Sequence, residues 1–205
     1  MPLNVMVLES DRGAADAAAR ELTDAGHVVH RCHEPGAPAF PCRGLVDQSM
    51  CPLRSHVVDL ALTVRSSHRA QPSPYEDGVR CALMQRVPLV VAGPAVLDPY
   101  DQLEMRVLDR TDDIVGACEE VAVSELPRHT RVATDALRAS RTTDEALTDA
   151  RATVTRREGR LRVSLSGLDA LGPRQRDAAI VRTMAKVREF DSSARGMDVV
   201  LTAPV

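Results

Sequence analysis

The sequence predicts an α/β protein, in which a doubly wound parallel sheet is followed by a second, smaller α-β-β-α-β domain. Short apolar runs alternate with helical patterns over the first part of the chain, which is typical of a parallel sheet. From Ser124 onward the sequence becomes polar, and its later strands alternate with a period of two residues. We therefore place the two domains at residues 1–124 and 125–205.

The amino-acid composition indicates which kinds of binding partner and which cellular location to expect. With 205 residues, of which 44% are hydrophobic, the chain has enough apolar side chains for a core. A net charge of −3 and an aromatic content of 2% argue against nucleic acid as a partner. No stretch approaches the roughly 20 apolar residues of a membrane span. The N-terminus MPLNVMVLES lacks the basic region of a signal peptide, so we expect a cytoplasmic location.

The sequence of the first domain predicts five strands separated by helices. Continuous apolar runs indicate strands that are buried on both faces. These predicted strands are residues 3–8, 27–31, 56–64, 87–93 and 105–108. An alanine-rich helix over 12–25 ends at Gly26, and another begins at Thr111 and continues through Cys118. We expect Cys118 to face the core.

The strongest helix signal in the chain is Ser73-Pro74-Tyr75-Glu76. Serine is a favoured N-cap, proline is tolerated at the first helical position, and a glutamate three residues after the cap completes a capping box. The pattern predicts a helix from this point to about Arg86, and this helix carries Cys81.

Residues 31–53, RCHEPGAPAFPCRGLVDQSMCPL, occupy the place of a short connection or a helix. The segment contains four prolines and three of the five cysteines of the chain. It is too rich in proline for a helix and alternates too poorly for a strand, so we expect a long loop. Loops of this length inside compact domains are usually functional or disordered.

Four cysteines form the candidate metal site: Cys32, Cys42, Cys51 and Cys81. Stable disulfides are uncommon in the cytoplasm, which favours metal or redox chemistry for clustered cysteines. Four thiolates suit zinc or an iron–sulfur cluster, and His33 is a possible substitute ligand. Two alternatives stay open, namely a reversible disulfide between loop cysteines and inert buried thiols.

The order of elements and the acidic turn after the first strand resemble the receiver domain of two-component response regulators, a flavodoxin-like fold. In that resemblance, Glu9 and Asp11 match the acidic metal-binding pair of the family. The phosphoacceptor aspartate is missing, because Val64 ends the third strand. The fourth strand ends without Ser or Thr, and Lys186 is the only lysine in the chain. The resemblance therefore implies a pseudo-receiver that does not accept phosphate in the usual way.

The second domain is similar in element order to the small BON-type domain, which is associated with binding phospholipid, ligands or proteins. A polar helix over about 130–150 precedes a hairpin through Arg157-Glu158-Gly159. Gly172-Pro173 begins a helix, and a final strand covers 198–202. Its apolar stripe contains Ile180, Val181, Met184, Val187 and Phe190. We interpret the hairpin arginines Arg156, Arg157, Arg160 and Arg162 as a solvated face, with an acidic partner or lipid headgroup as the alternative.

No Ser-His-Asp motif context, P-loop or G-x-G-x-x-G is present, so the sequence predicts no catalytic site. We expect a non-enzymatic regulatory or adaptor protein that binds a protein partner or itself. The rival hypothesis is a small iron–sulfur or thiol redox protein. A DNA-binding regulator is disfavoured by charge and by the lack of a helix-turn-helix pattern.

Overall fold

The structure, a computed structural model, describes residues 2–67, 70–94, 99–100, 106–108, 113–139 and 150–202. The chain divides into two compact units, unit 1 (residues 1–122) and unit 2 (residues 123–205). Unit 1 has a five-stranded sheet and unit 2 a three-stranded sheet. This confirms the predicted α/β class, with a parallel sheet followed by a smaller second sheet.

All strands of unit 1 run parallel, in the order β2-β1-β3-β4-β5. The strands are β1 (Asn4–Glu9), β2 (Val28–Arg31), β3 (Leu60–Val64), β4 (Leu89–Ala92) and β5 (Arg106–Leu108). Strand β1 is an interior strand of the sheet, because it pairs with both β2 and β3. Its four middle residues are buried, which explains the unbroken apolar run in the sequence.

Helices pack on both faces of this sheet. They are α1 (Asp16–Asp24), α2 (Arg43–Val46), α3 (Pro52–Ser55), α4 (Asp77–Met84) and α5 (Ile114–Val123). Leu22 of α1 and Cys118 of α5 belong to one core cluster, so the prediction that Cys118 is a core residue is confirmed. Val79 of α4 belongs to a second cluster with Met6 and Cys32.

Two predictions about local structure were wrong in unit 1. Residues 31–53 contain the short helices α2 and α3, with a 3₁₀ turn at Gln48–Met50 between them. Each begins directly after a residue with extended backbone, so the prolines and extended residues divide the segment into single turns instead of preventing helix. Strand β3 begins at Leu60 and not at residue 56. The predicted cap Thr111 lies outside the described residues.

A fully buried ion pair links β3 to the start of α4. The Arg65 Nε lies 3.3 Å from the Glu76 Oε1, and both side chains are 0% exposed. Glu76 also accepts hydrogen bonds from the Ser73 backbone amide at 2.9 Å and the Thr63 hydroxyl at 3.2 Å. The predicted contact from Glu76 back to the Ser73 amide is therefore confirmed. Removing one member of a buried pair typically costs about 3–5 kcal/mol.

Unit 2 has the element order α-β-β-α-β. Its elements are α6 (Pro127–Arg138), β6 (Arg151–Arg157), β7 (Arg160–Ser166), α7 (Pro173–Phe190) and β8 (Gly196–Leu201). Strands β6 and β7 are antiparallel, whereas β7 and β8 are parallel. Glu158 and Gly159 connect β6 to β7 with φ values of 50° and 71°. Two positive φ values in a two-residue turn match the twist of a hairpin.

The interpretation of Arg156 as part of a solvated face was wrong. Arg156 is 6% exposed and its guanidinium donates to the carboxylate of Asp191, which is 1% exposed. His129 Nε2 lies 2.8 Å from the same carboxylate oxygen. Period-two alternation places Arg156 on the inner face with Val154, and the buried carboxylate compensates its charge. Val181 was also misplaced in the apolar stripe, because it is 67% exposed.

Among the described residues, the helices are too short or too polar for any of them to cross a membrane.

Asp191 gives unit 2 a defined pH dependence. Burial favours its protonated form, but the hydrogen bond with His129 and the charge of Arg156 outweigh that effect and lower its pKa from 3.8 to about 2. The ionised carboxylate thus stabilises the folded state above about pH 4, and this contribution is lost as the pH falls through about 2. We expect the free energy of unfolding to fall by about 2 kcal/mol over that interval in urea titrations.

Asp191→Asn should remove this part of the pH profile and lower stability at neutral pH, because Arg156 then faces a neutral amide. Asp198→Asn is the matched control, since Asp198 pairs with Arg160 on the exposed surface and should matter little. A profile for Asp191→Asn that parallels the wild type between pH 4 and 2 would contradict this account.

Candidate functional site

Cys32 lies directly after β2, at the carboxyl edge of the unit 1 sheet. It is 9% exposed and packs in the core cluster that includes Met6, Leu8 and Val79. Because Cys32 directly follows the short strand β2, its thiol lies beneath helix α4 and away from solvent.

Helix α4 approaches this thiol at Gly78. A Cβ at that position would lie 3.0 Å from Cys32 Sγ and 2.6 Å from Leu8 Cδ2. Only glycine allows so close an approach of the helix to the sheet. Cys81 follows Gly78 by three residues, so the two lie on the same side of the helix, one turn apart. This explains how a cysteine well inside α4 reaches the neighbourhood of Cys32.

The loop folds back onto the end of β2. The Arg43 amide donates to the Cys32 carbonyl at 2.9 Å, which brings the adjacent Cys42 to the same place. Cys42 is half-buried and packs against the core cluster of Cys32. Cys42 and Cys51 precede α2 and α3, and neither side chain caps its helix. Their thiols are therefore not used for capping.

Gly44 fixes the position of Cys51. A Cβ at Gly44 would lie 2.7 Å from the Cys51 Cβ and 3.3 Å from its Sγ. The backbone of α2 thus rests against the half-buried Cys51 side chain. Glycine at this position lets the loop close tightly enough to carry Cys42 and Cys51 on neighbouring turns.

The electrostatic environment of Cys32 and of Cys81 includes the other predicted thiols of the loop. Burial, followed by the charges of Cys42, Cys51 and Cys81, raises the pKa of Cys32 to about 12. The pKa of Cys81 is also raised, by burial of its thiol and then by Cys51, Cys42 and Asp77. The four cysteines therefore share one neighbourhood, and the thiols of Cys32 and Cys81 are protonated at neutral pH.

The fit to a single metal ion is loose. Four thiolates around one zinc ion at about 2.3 Å lie about 3.8 Å from each other. In the part of the chain that the structure describes, no three His, Cys, Asp or Glu side chains are grouped as ligands of one ion. All five cysteines are free thiols. The four thiols are soft donors, but the described side chains do not form a ready ligand group for one ion.

His33, the possible substitute ligand, lies beside this group. Burial lowers its pKa, while the nearby carboxylates of Glu9 and Asp77 act in the opposite direction. Both ring nitrogens are buried, and within the described residues neither has a hydrogen-bond partner. The ring makes an edge contact with Tyr75, with centroids 6.1 Å apart.

The outer surface of the loop is apolar, which the sequence analysis missed. The exposed large side chains are Phe40 at 71%, Leu45 at 66%, Val46 at 72% and Met50 at 40%. We call these four residues the loop apolar patch. The apolar residues were visible in the sequence, but short turns carry no periodic pattern that shows which side chains face solvent.

The acidic pair that resembles a receiver site is engaged in local contacts. The Glu9 carboxylate accepts the Ala15 amide at 3.3 Å, before the first turn of α1. The Asp11 carboxylate accepts hydrogen bonds from the hydroxyls of Ser10 and Ser66. These contacts tie the turns after β1 and β3 together.

Arg65 follows Val64, the last residue of β3, and its buried side chain faces Glu76. Strand β4 ends at Ala92, and Gly93 approaches so closely that a Cβ there would lie 2.1 Å from the Arg65 carbonyl oxygen. In the described residues, the sheet edge at the ends of β3 and β4 is therefore filled by a buried ion pair and close backbone packing.

Comparison with known proteins found neither a protein-family model that matches this chain nor a curated protein that matches it.

Proposed function

We propose that this chain is a non-enzymatic, cytoplasmic regulatory protein whose receiver-like unit 1 carries an iron–sulfur centre on Cys32, Cys42, Cys51 and Cys81. The observation that carries the proposal is the shared neighbourhood of these four thiols, to which three separate segments contribute. Four thiolates are the usual ligands of an iron–sulfur cluster, which supports a cluster as the centre. When bound, a cluster supplies one-electron oxidation and reduction.

The raised pKa values of Cys32 and Cys81 argue against a thiol-disulfide switch at these two positions. Reactive cysteines have lowered pKa values because the thiolate is the nucleophile. Here burial disfavours the thiolate until a metal centre neutralises it. Binding of the centre therefore releases protons and is expected to weaken as the pH falls.

The regulatory role rests on the position of the loop apolar patch. Leu45, Val46 and Met50 lie on the short turns between Cys42 and Cys51, and Phe40 lies two residues before Cys42. A centre that holds both cysteines also holds the turns, and so fixes how the patch is presented to a protein partner. Loss of the centre releases the turns and changes that surface.

The receiver-like part of the proposal is a pseudo-receiver. The parallel strand order β2-β1-β3-β4-β5 and the helices on both faces agree with a doubly wound, receiver-like fold. The lack of an aspartate at the end of β3 and of any lysine before Lys186 leaves phosphate chemistry without its acceptor.

An electron-transfer protein is the second candidate, and one observation favours it. Cys81 is exposed, so one edge of the centre would be accessible to a redox partner. If the protein cycles between two redox states without any change in hydrogen exchange of residues 43–55, electron transfer is the better description.

Single replacement of the thiols tests the centre. We expect the wild type, reconstituted anaerobically with ferrous iron and sulfide, to show visible charge-transfer absorption. Cys51→Ala and Cys81→Ala should lose most of it, because each removes one of four ligands. Cys118→Ala is the matched control, since Cys118 is buried on the opposite face of the sheet. Equal absorption in all variants would contradict the assignment, and a colourless protein with one zinc per chain would replace the cluster by zinc.

Phosphodonor labelling tests the pseudo-receiver. We expect no acyl phosphate after incubation with acetyl phosphate and magnesium, as measured by intact mass, because Asp11 is occupied by two hydroxyls and β3 ends in Val64. One phosphate per chain, located on Glu9 or Asp11, would show that the domain is a working receiver.

A further inference from the structure

The two edge strands of the unit 2 sheet differ in whether another segment covers them. The outer edge of β6 is sealed by α6, because the Val154 amide donates to Thr130 Oγ1 at 2.9 Å and the Ala152 amide to Thr134 Oγ1 at 3.2 Å. The Leu126 amide donates to the Val154 carbonyl at 2.7 Å. Proteins seal edge strands in this way because an open edge pairs with other chains.

The opposite edge, β8, carries no such protection in the described part of the chain. None of the six residues Gly196–Leu201 is buried, and Leu201 is 49% exposed. No backbone hydrogen bond links this strand to a described segment other than β7. The strand contains no proline, and its one charged residue, Asp198, is paired with Arg160. It is a long, apolar and open edge.

We infer that β8 pairs antiparallel with β8 of a second copy of this chain, around a two-fold axis at Val199. This dimer joins the two three-stranded sheets into one six-stranded sheet. The inference is independent of the thiol centre proposed for unit 1, so either can fail without the other.

The register of the pairing between the two β8 strands follows from which β8 amides point towards β7 and which point outward. The Thr202 amide donates to the Leu165 carbonyl of β7 at 2.9 Å, so alternate residues back along β8, namely Val200, Asp198 and Gly196, direct their amides towards β7. Met197, Val199 and Leu201 then direct theirs outward, where the second copy lies. A two-fold axis at Val199 makes Val199 a hydrogen-bonded pair with its counterpart, and Asp198 faces Val200.

Side-chain chemistry favours a second copy over another partner. Met197, Val199 and Leu201 lie opposite Leu161, Val163 and Leu165 of β7, whose side chains are buried on the inner face. In the two-fold register Met197 meets Leu201 and Val199 meets itself, so the inner face is entirely apolar. On the outer face no two like charges lie opposite each other, because Asp198 faces Val200 of the second copy. Asp198 also keeps its ion pair with Arg160 of its own chain.

A cysteine at the two-fold axis tests the register. In a hydrogen-bonded antiparallel pair the Cα atoms are about 5.5 Å apart, within the range of a disulfide. Full-length Val199→Cys should therefore form a disulfide between the introduced thiols of two chains under mild oxidation, identified by peptide mass spectrometry against the wild-type background of five cysteines. Asp198→Cys is the matched control and should not link to itself, because it faces residue 200.

A charge at the same position tests the association. Val199→Lys opposes two like charges across the axis and should raise the dimer dissociation constant at least about a hundredfold in sedimentation experiments. Thr153→Lys, on the sealed strand β6, should leave the dimer dissociation constant unchanged. A wild type that stays monomeric at high concentration would overturn the inference, and so would a Val199→Cys variant whose introduced thiol links only within its own chain.

Discussion

The close contact between helix α4 and the unit 1 sheet at Gly78 is the constraint on which the candidate site depends. It buries Cys32 beneath the helix and brings Cys81, one turn later, to the same side. The buried pair of Arg65 and Glu76 fixes the start of that helix against β3. The loop then needs only the bond from the Arg43 amide to Cys32 and the contact of Gly44 with Cys51 to complete the group.

Unit 2 depends on a different buried charge. Asp191, at the end of α7, is held by His129 of α6 and Arg156 of β6, so one carboxylate joins three elements of the unit. This arrangement fixes the inner face of the sheet and leaves β8 at an open edge. The proposed regulation through unit 1 and the inferred association through unit 2 therefore concern separate parts of the chain.

The strands and the α4 start were predictable because their signals are local. A buried parallel strand appears as an apolar run, as in β1, and Ser73 with Glu76 marks a helix start by itself. The side of α4 on which Cys81 lies was not predictable, because it depends on packing at Gly78 across the sheet. The burial of Arg156 was missed since its carboxylate partner is 35 residues away in sequence. The short turns α2 and α3 were missed because proline content argues against long helices but not against single turns.

The central claim is that Cys32, Cys42, Cys51 and Cys81 hold an iron–sulfur centre, and elemental analysis of protein purified without oxygen tests it most directly. Iron, acid-labile sulfide and zinc are measured per chain on the same sample, before and after chelation. The account predicts iron and sulfide in equal amounts, bound to a single site and lost together. Protein that contains neither iron nor sulfide, and takes up neither under reducing conditions, would contradict it.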